Sequence, residues 1–227
     1  NVRRRGERSQ NRGDAANLMD PRKKIVRDAY DRIADRYLAW SGASAVRAHY
    51  LAKFLRLLST DSHVLELGCG AGAPATKTIA GCAAHVTAVD ISPRQIALAR
   101  KNAPEAIFFC ADMMSLEFPA ACFDAVCAFY AITHLPRDEH GEMFARIGRW
   151  LKPGGVFLAS LGASAMDERA DDWLGAPNYF SHNAPEESLR LLAAAGFTIE
   201  EQETTQQDLP GEEGLPFLWV TARKPPA

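Results

Sequence analysis

Three glycines at alternate positions, Gly68, Gly70 and Gly72, close the apolar run Val64-Leu65-Glu66-Leu67 and lead into a helix-length stretch. A glycine backbone turns sharply, and a ligand can approach it closely because no Cβ intervenes. In a parallel sheet such a turn lies at the carboxyl ends of the strands, where open α/β folds bind ligands. The run partly fits the dinucleotide fingerprint G-x-G-x-x-[GA] through Gly68, Gly70 and Ala73. Its carboxylates point elsewhere. Glu66, two residues before the first glycine, repels a pyrophosphate and attracts an ammonium group. Asp90 ends the second apolar run and can accept from both hydroxyls of a ribose, a role either kind of nucleotide ligand would use. Asp112, after the third run, can accept from an adenine amino group while Met113 packs near the ring.

Two other sets of residues could do chemistry. His134, in Phe129-Tyr130-Ala131-Ile132-Thr133-His134-Leu135-Pro136, lies just beyond the fourth run, at the rim of the same site. With an ordinary pKa of about 6.5 it could act as a general base at neutral pH; its bland alternative is to cap the following turn. Trp173, Tyr179, Phe180 and His182 combine apolar area with polar tips, as small-molecule pockets do, or else form a packed flap. Cys69 contributes backbone rather than a nucleophilic thiol, because no paired histidine is identifiable.

The elements that must position these residues follow from periodicity. Asp20-Pro21 is a helix start, Asp as N-cap and Pro at the first helical position. Val26, Tyr30, Ile33, Tyr37 and Trp40 then recur at helical spacing until Ser41-Gly42 breaks the pattern. A second helix is expected over 44–58. Strands at 63–67, 85–89, 107–110, 125–130 and 156–160 alternate with helices at about 74–81, 93–102 and 138–151. That alternation predicts a doubly wound, mostly parallel sheet. Residues 162–183 read as irregular, 185–195 as a helix stopped by Gly196, and 197–203 and 217–224 as closing strands around Pro210-Gly211.

Composition narrows the class of protein. The chain has 227 residues, 47% of them hydrophobic, enough for one large domain with a packed core. Residues 1–19 read as a flexible arm, and nine of the cations lie before Asp28. Its five cysteines include no C-x-x-C pair and no zinc spacing, so a reduced, cytoplasmic setting without a bound metal is expected. No apolar run reaches the length of a bilayer span.

At this point the sequence resembles the class I S-adenosylmethionine-dependent methyltransferase superfamily, from roughly Tyr30 to the C-terminus. Val64 to Gly72 matches the first motif, Asp90 and Asp112 match the acidic residues after the second and third strands, and Leu151-Lys152-Pro153-Gly154-Gly155 looks like the turn before the fifth. The resemblance implies a Rossmann-like, seven-stranded sheet with an antiparallel C-terminal hairpin. Tyr30-Asp31-Arg32-Ile33-Ala34-Asp35-Arg36-Tyr37 looks like the N-terminal lid helix of small-molecule methyltransferases. The implied organisation is an arm (1–19), a helical lid (20–60) and a catalytic domain (61–227) with a substrate flap at 162–184. S-adenosylmethionine is the implied cofactor and S-adenosylhomocysteine its product. Donor contacts are expected from Tyr30, Tyr37, Glu66, Gly68, Cys69, Gly70, Asp90, Ile91, Asp112, Met113 and Phe129, and acceptor contacts from Trp173, Tyr179, Phe180 and His182. The expected acceptor is a small molecule with an O, N or S nucleophile, met by a monomer or homodimer. RNA or protein methylation is the alternative suggested by the basic arm, although no Asn-Pro-Pro-Tyr type motif follows the fourth strand. A nicotinamide-dependent reductase is disfavoured further, because no Tyr-x-x-x-Lys pair stands there.

Overall fold

The structure, a computed structural model, describes residues 19–83, 85–209 and 212–226. Nearly all of the basic arm and the turn Pro210-Gly211 therefore lie outside the described residues.

Helix α1 spans Pro21–Ala43 and α2 spans Ala45–Leu55. Asp20 caps α1 by accepting from Arg22 N at 2.8 Å, as its position before Pro21 predicts. The expected break at Ser41-Gly42 does not occur. Ser41 Oγ donates back to Leu38 O, the helix runs to Ala43, and Ser44 then caps α2 through Arg47 N. A mid-helix Ser-Gly pair weakens a helix but does not end it when the next cap comes only two residues later.

From there strands and helices alternate: β1 (His63–Leu67), α3 (Ala75–Ala80), β2 (His85–Asp90), α4 (Pro93–Asn102), β3 (Ile107–Cys110), β4 (Phe123–Ala128), α5 (His140–Trp150) and β5 (Leu151–Gly162). These five strands pair in parallel, in spatial order β3-β2-β1-β4-β5. Four of five residues in β1 are buried, as expected of a strand covered on both faces. The order reverses between β1 and β4, which makes the end of β1 a topological switch point. Two glycines there are sterically required. Gly68 has φ +71° and its absent Cβ would lie 2.3 Å from Ala131 Cβ; at Gly72, φ +72°, a Cβ would meet the α4 backbone at Ala99, 2.9 Å away.

After β5 the chain departs from expectation. Residues 162–183 are not irregular: β6 (Met166–Trp173) and β7 (Ala176–His182) form a separate antiparallel hairpin. Its two-residue turn, Leu174-Gly175, has φ of +57° and +85°, the positive-φ geometry that suits a tight hairpin. The solvent-facing sequence of β6, Met-Asp-Glu-Arg-Ala-Asp-Asp-Trp, hides the strand because it lacks an alternating apolar face. Helix α6 (Pro185–Ala194) leads to β8 (Thr198–Leu209) and β9 (Glu212–Arg223), which complete the seven-stranded sheet antiparallel beside β5. Both closing strands are longer than the sequence suggests, because the polar run Glu203 to Gln207 continues as the sheet's edge. The fourth strand is shorter: Phe129 and Tyr130 leave it, and Tyr130 turns at φ +59° with its N–H donated to Ser160 Oγ. Among the described residues no helix is long and apolar enough to cross a membrane.

Candidate functional site

The carboxyl ends of β1, β2, β3 and β4 open onto a cleft of about 620 Å³ roofed by α1. The sheet side supplies Gly68, Gly70, Asp90, Ile91, Asp112, Met113 and Phe129; α1 supplies Lys23, Val26, Tyr30 and Tyr37. Seven-residue spacing from 23 to 30 to 37 keeps three of these on one helical face.

Asp90 anchors the middle of the cleft. Its Oδ2 accepts from Gly70 N at 2.8 Å and its Oδ1 from Ser92 N at 2.9 Å, so its orientation is fixed by the backbone. Burial pushes its pKa up to about 6, against the lowering effect of those N–H groups. A desolvated carboxylate with lone pairs to spare is suited to hydroxyl donors. Asp112 stands at one end. It caps the turn Met113–Ser115 through Met114 N (2.9 Å), and Lys23 Nζ reaches its other oxygen at 2.7 Å. Lys23 also lies 2.6 Å from Glu139 Oε2. Burial alone would lower the Lys23 pKa, but the two carboxylates outweigh it and hold the ammonium charged.

Two expected donor contacts are absent from the cleft wall. Glu66 is buried and accepts from Thr76 Oγ1 at 2.6 Å, which places it on the α3 side of the sheet. Period-two alternation explains this: Glu66 shares a face with Val64, whose neighbours include Ala75 and Ile79 of α3. Burial raises its pKa to about 7. Cys69 turns its side chain into a cluster with Ala88, Ile96 and Ala99.

A second cleft, about 880 Å³, lies beside the first between α1, the β6–β7 hairpin and β9. Tyr30, Tyr37, Trp40, Tyr130, Trp173, Phe180 and Phe217 wall it, and His182 and Glu168 are among its polar residues. Tyr179 is not on this wall. Its ring packs against α1, and its hydroxyl donates to Asp167. Four residues, Tyr30, Tyr37, Tyr130 and His134, belong to both clefts.

His134 is not the free base of the sequence reading. Its Nδ1 lies 2.8 Å from Tyr179 O, a group that can only accept, so Nδ1 carries the proton. Nε2 then accepts from the Tyr30 hydroxyl at 2.8 Å. Burial pushes the His134 pKa down to about 4, so the ring is neutral with both nitrogens engaged. Lys23, Trp40, Tyr130 and Phe217 were missed as wall residues. For Lys23 the helical spacing from Tyr30 and Tyr37 was a usable signal; for Phe217 none was local, since β9 reaches the site only through sheet pairing with β5.

The cleft can be tested against a nucleoside sulfonium. Next to Gly70 lies the fully buried Gln95, neither of whose amide atoms has a hydrogen-bond partner among the described residues. Unpartnered buried amides call for a polar ligand. Asp90 suits the ribose hydroxyls, and the faces of Tyr30, Tyr37 and Phe129 suit a cationic sulfur. The residues fit the sulfonium nucleoside.

Comparison with known proteins agrees. Residues 64–155 match the methyltransferase-domain family. A sterol 24-C-methyltransferase of Neurospora crassa is 31% identical over 184 residues, covering 78% of this chain and 45% of that protein. The 27-O-demethylrifamycin SV methyltransferase of Amycolatopsis mediterranei is 35% identical over 111 residues, 46% of this chain and 40% of its own length. This chain thus spans less than half of either relative. In fold it is similar to the 1,6-didemethyltoxoflavin-N1-methyltransferase of Burkholderia thailandensis, with a TM-score of 0.67, 24% identity and 92% of each chain covered. Motif, sheet order and relatives together place the chain in the class I S-adenosylmethionine-dependent methyltransferase superfamily.

Proposed function

We propose that this protein transfers a methyl group from S-adenosylmethionine to a small-molecule acceptor. The observation that carries this reading is the shared wall: Tyr30, Tyr37, Tyr130 and His134 border both the donor cleft and the aromatic cleft. When bound, the donor supplies an electrophilic methyl group on a sulfonium. The protein's contribution is then placement, because in-line geometry removes much of the entropic barrier.

In this reading Asp90 receives the ribose hydroxyls, Asp112 the adenine amino group, and Ile91 and Met113 flank the ring. Backbone at Gly68, Cys69 and Gly70 borders the methionine portion, whose ammonium Glu66 favours from beneath. Helix α1 acts as the lid and the hairpin of β6 and β7 as the acceptor flap, through Trp173, Phe180 and His182. The Tyr30 hydroxyl, held by His134 Nε2, can accept a hydrogen bond from the acceptor's N–H or O–H and so orient it toward the methyl group. His134 thus works through Tyr30.

Two features favour a small acceptor over nucleic acid. Among the described residues lining the aromatic cleft there is no lysine or arginine, whereas phosphate backbones need cations. The relatives named above are sterol, rifamycin and toxoflavin methyltransferases, and an aromatic-walled cleft suits ring systems of that kind. The test is to incubate the protein and S-adenosylmethionine with a panel of apolar and heteroaromatic compounds. Mass spectrometry should find one methylated product together with S-adenosylhomocysteine. Methylation of RNA or protein, with no small molecule turned over, would contradict the reading.

A further inference from the structure

The β6–β7 hairpin presents an unpaired carboxylate to the aromatic cleft. By period-two alternation Met166, Glu168 and Ala170 of β6 face the cleft, in register with His182, Phe180 and Asn178 of β7. The outward carboxylate between them, Asp167, is partnered: Arg137 Nε lies 3.6 Å away and the Tyr179 hydroxyl donates to it. Arg169, also outward, lies 3.6 Å from Asp171. Glu168 has neither an ion pair nor a hydrogen bond among the described residues, although it stands in an otherwise apolar row opposite Phe180. It is exposed, at the mouth of the cleft.

His182 stands near it as a second acceptor. Its Nδ1 lies against Ser164 O, which can only accept, so Nδ1 carries the proton and Nε2 keeps a lone pair. Burial lowers the His182 pKa, and the ring is neutral. Trp173 and Phe180 add aromatic rings, their centres 5.6 Å apart. On the Tyr130 side a cation is already in place, because Arg47 stacks there with its Cζ 4.9 Å from the ring centre. A positively charged ligand group is therefore drawn to the hairpin side, where a carboxylate, an imidazole lone pair and two rings meet.

We propose that the methyl acceptor is an amine-bearing small molecule whose protonated nitrogen is held at the hairpin by Glu168, His182 Nε2, Trp173 and Phe180. The proposal rests on the methyl-transfer reading above and adds the acceptor's chemical class. A protonated nitrogen has no lone pair to offer a methyl carbon. The ammonium is thus a handle, and the nucleophile is a different atom of the same molecule, at the wall shared with the donor cleft. Glu168 determines specificity and takes no part in the transfer.

The experiment is calorimetric titration of the full chain, saturated with S-adenosylhomocysteine near neutral pH. It compares tryptamine with tryptophol and phenethylamine with phenethyl alcohol, pairs that differ only in an ammonium against a hydroxyl. Each amine should bind roughly 10-fold more tightly than its alcohol, the combined worth of a screened ion pair and a cation–π contact. Glu168→Gln, a near-isosteric change at an exposed position, should weaken each amine about threefold and leave the alcohols and S-adenosylhomocysteine unchanged. Equal affinities of amine and alcohol in the wild type, or no binding of either amine, would overturn the proposal. So would a preference for amines that Glu168→Gln leaves intact. In each of those cases binding of S-adenosylhomocysteine leaves the methyl-transfer reading standing. If S-adenosylhomocysteine itself did not bind, that reading would fail and the amine handle with it.

Discussion

The Tyr30 hydroxyl on α1 donates to His134 Nε2 beyond β4 across 2.8 Å, and the opposite ring nitrogen is held by the carbonyl of Tyr179 in β7. One imidazole thereby ties together helix α1, the sheet and the β6–β7 hairpin, at the wall between the two clefts. Because burial lowers the His134 pKa to about 4, its neutral form persists through the physiological range. The methylation rate should show no acidic limb near the ordinary histidine value of about 6.5. Tyr30→Phe should slow transfer to an acidic acceptor roughly 100-fold while S-adenosylhomocysteine binding changes far less. A wild-type pH–rate profile with a limb near 6.5 would remove the neutral pair from the account.

Burial of Asp90 and Glu66 makes a prediction about stability. Their pKa values rise from 3.8 to about 6 and from 4.5 to about 7, with desolvation the largest cause in each. An acid with a raised pKa binds its proton more tightly in the folded chain, so its contribution favours folding at low pH. That contribution is lost as pH rises through the folded value. The ligand-free protein should therefore lose stability through these groups between about pH 4.5 and pH 7. Glu66→Gln, which keeps an acceptor for Thr76, should flatten that slope and be the more stable form above pH 7, by on the order of 3 kcal/mol. Thermal melts across pH compare the two; parallel curves would show that Glu66 carries no such penalty.

At the glycine turn, strain and collision can be separated. Gly68→Ala places a Cβ on Ala131 at positive φ and should destabilise by about 3 kcal/mol or more in urea unfolding. Gly154 has φ +79° but open space around its missing Cβ, so Gly154→Ala should cost only about 1 kcal/mol. Equal losses would mean that the close approach of Ala131 has no energetic weight.

Lys23 predicts how α1 is held against the sheet. It bridges Asp112 and Glu139 while itself 6% exposed as a side chain. Lys23→Met leaves both carboxylates facing each other and should lower stability by about 2 kcal/mol. Adding Glu139→Gln to that variant should recover part of the loss, as a double-mutant cycle would register. Additive losses would deny the coupling.

Much of this was legible in the sequence, for identifiable reasons. Asp20-Pro21 announces α1, and the glycine turn announces the switch point, because both depend on local backbone chemistry. Asp90, Asp112, Ile91, Met113 and Phe129 reach the cleft because the ends of parallel strands converge there. What stayed hidden depends on side-chain direction or on non-local pairing. Glu66 is a motif residue, yet strand alternation turns it toward Thr76. Tyr179 serves through its carbonyl, which no side-chain pattern could reveal. The β6–β7 hairpin was invisible because its outer strand is polar, and Arg47 because its partners Tyr37 and Tyr130 come from separate elements.

The central claim is that the glycine-turn cleft takes a methyl-donor nucleoside rather than a dinucleotide. Calorimetry of the wild-type protein with S-adenosylhomocysteine and, separately, with NADH tests it most directly, with Asp90→Ala as the site control. The account predicts binding of S-adenosylhomocysteine, little or none of NADH, and a loss of about 2 kcal/mol in the variant, the worth of hydrogen bonds to a charged acceptor. Binding of NADH alone, or an affinity for S-adenosylhomocysteine unchanged by Asp90→Ala, would contradict it.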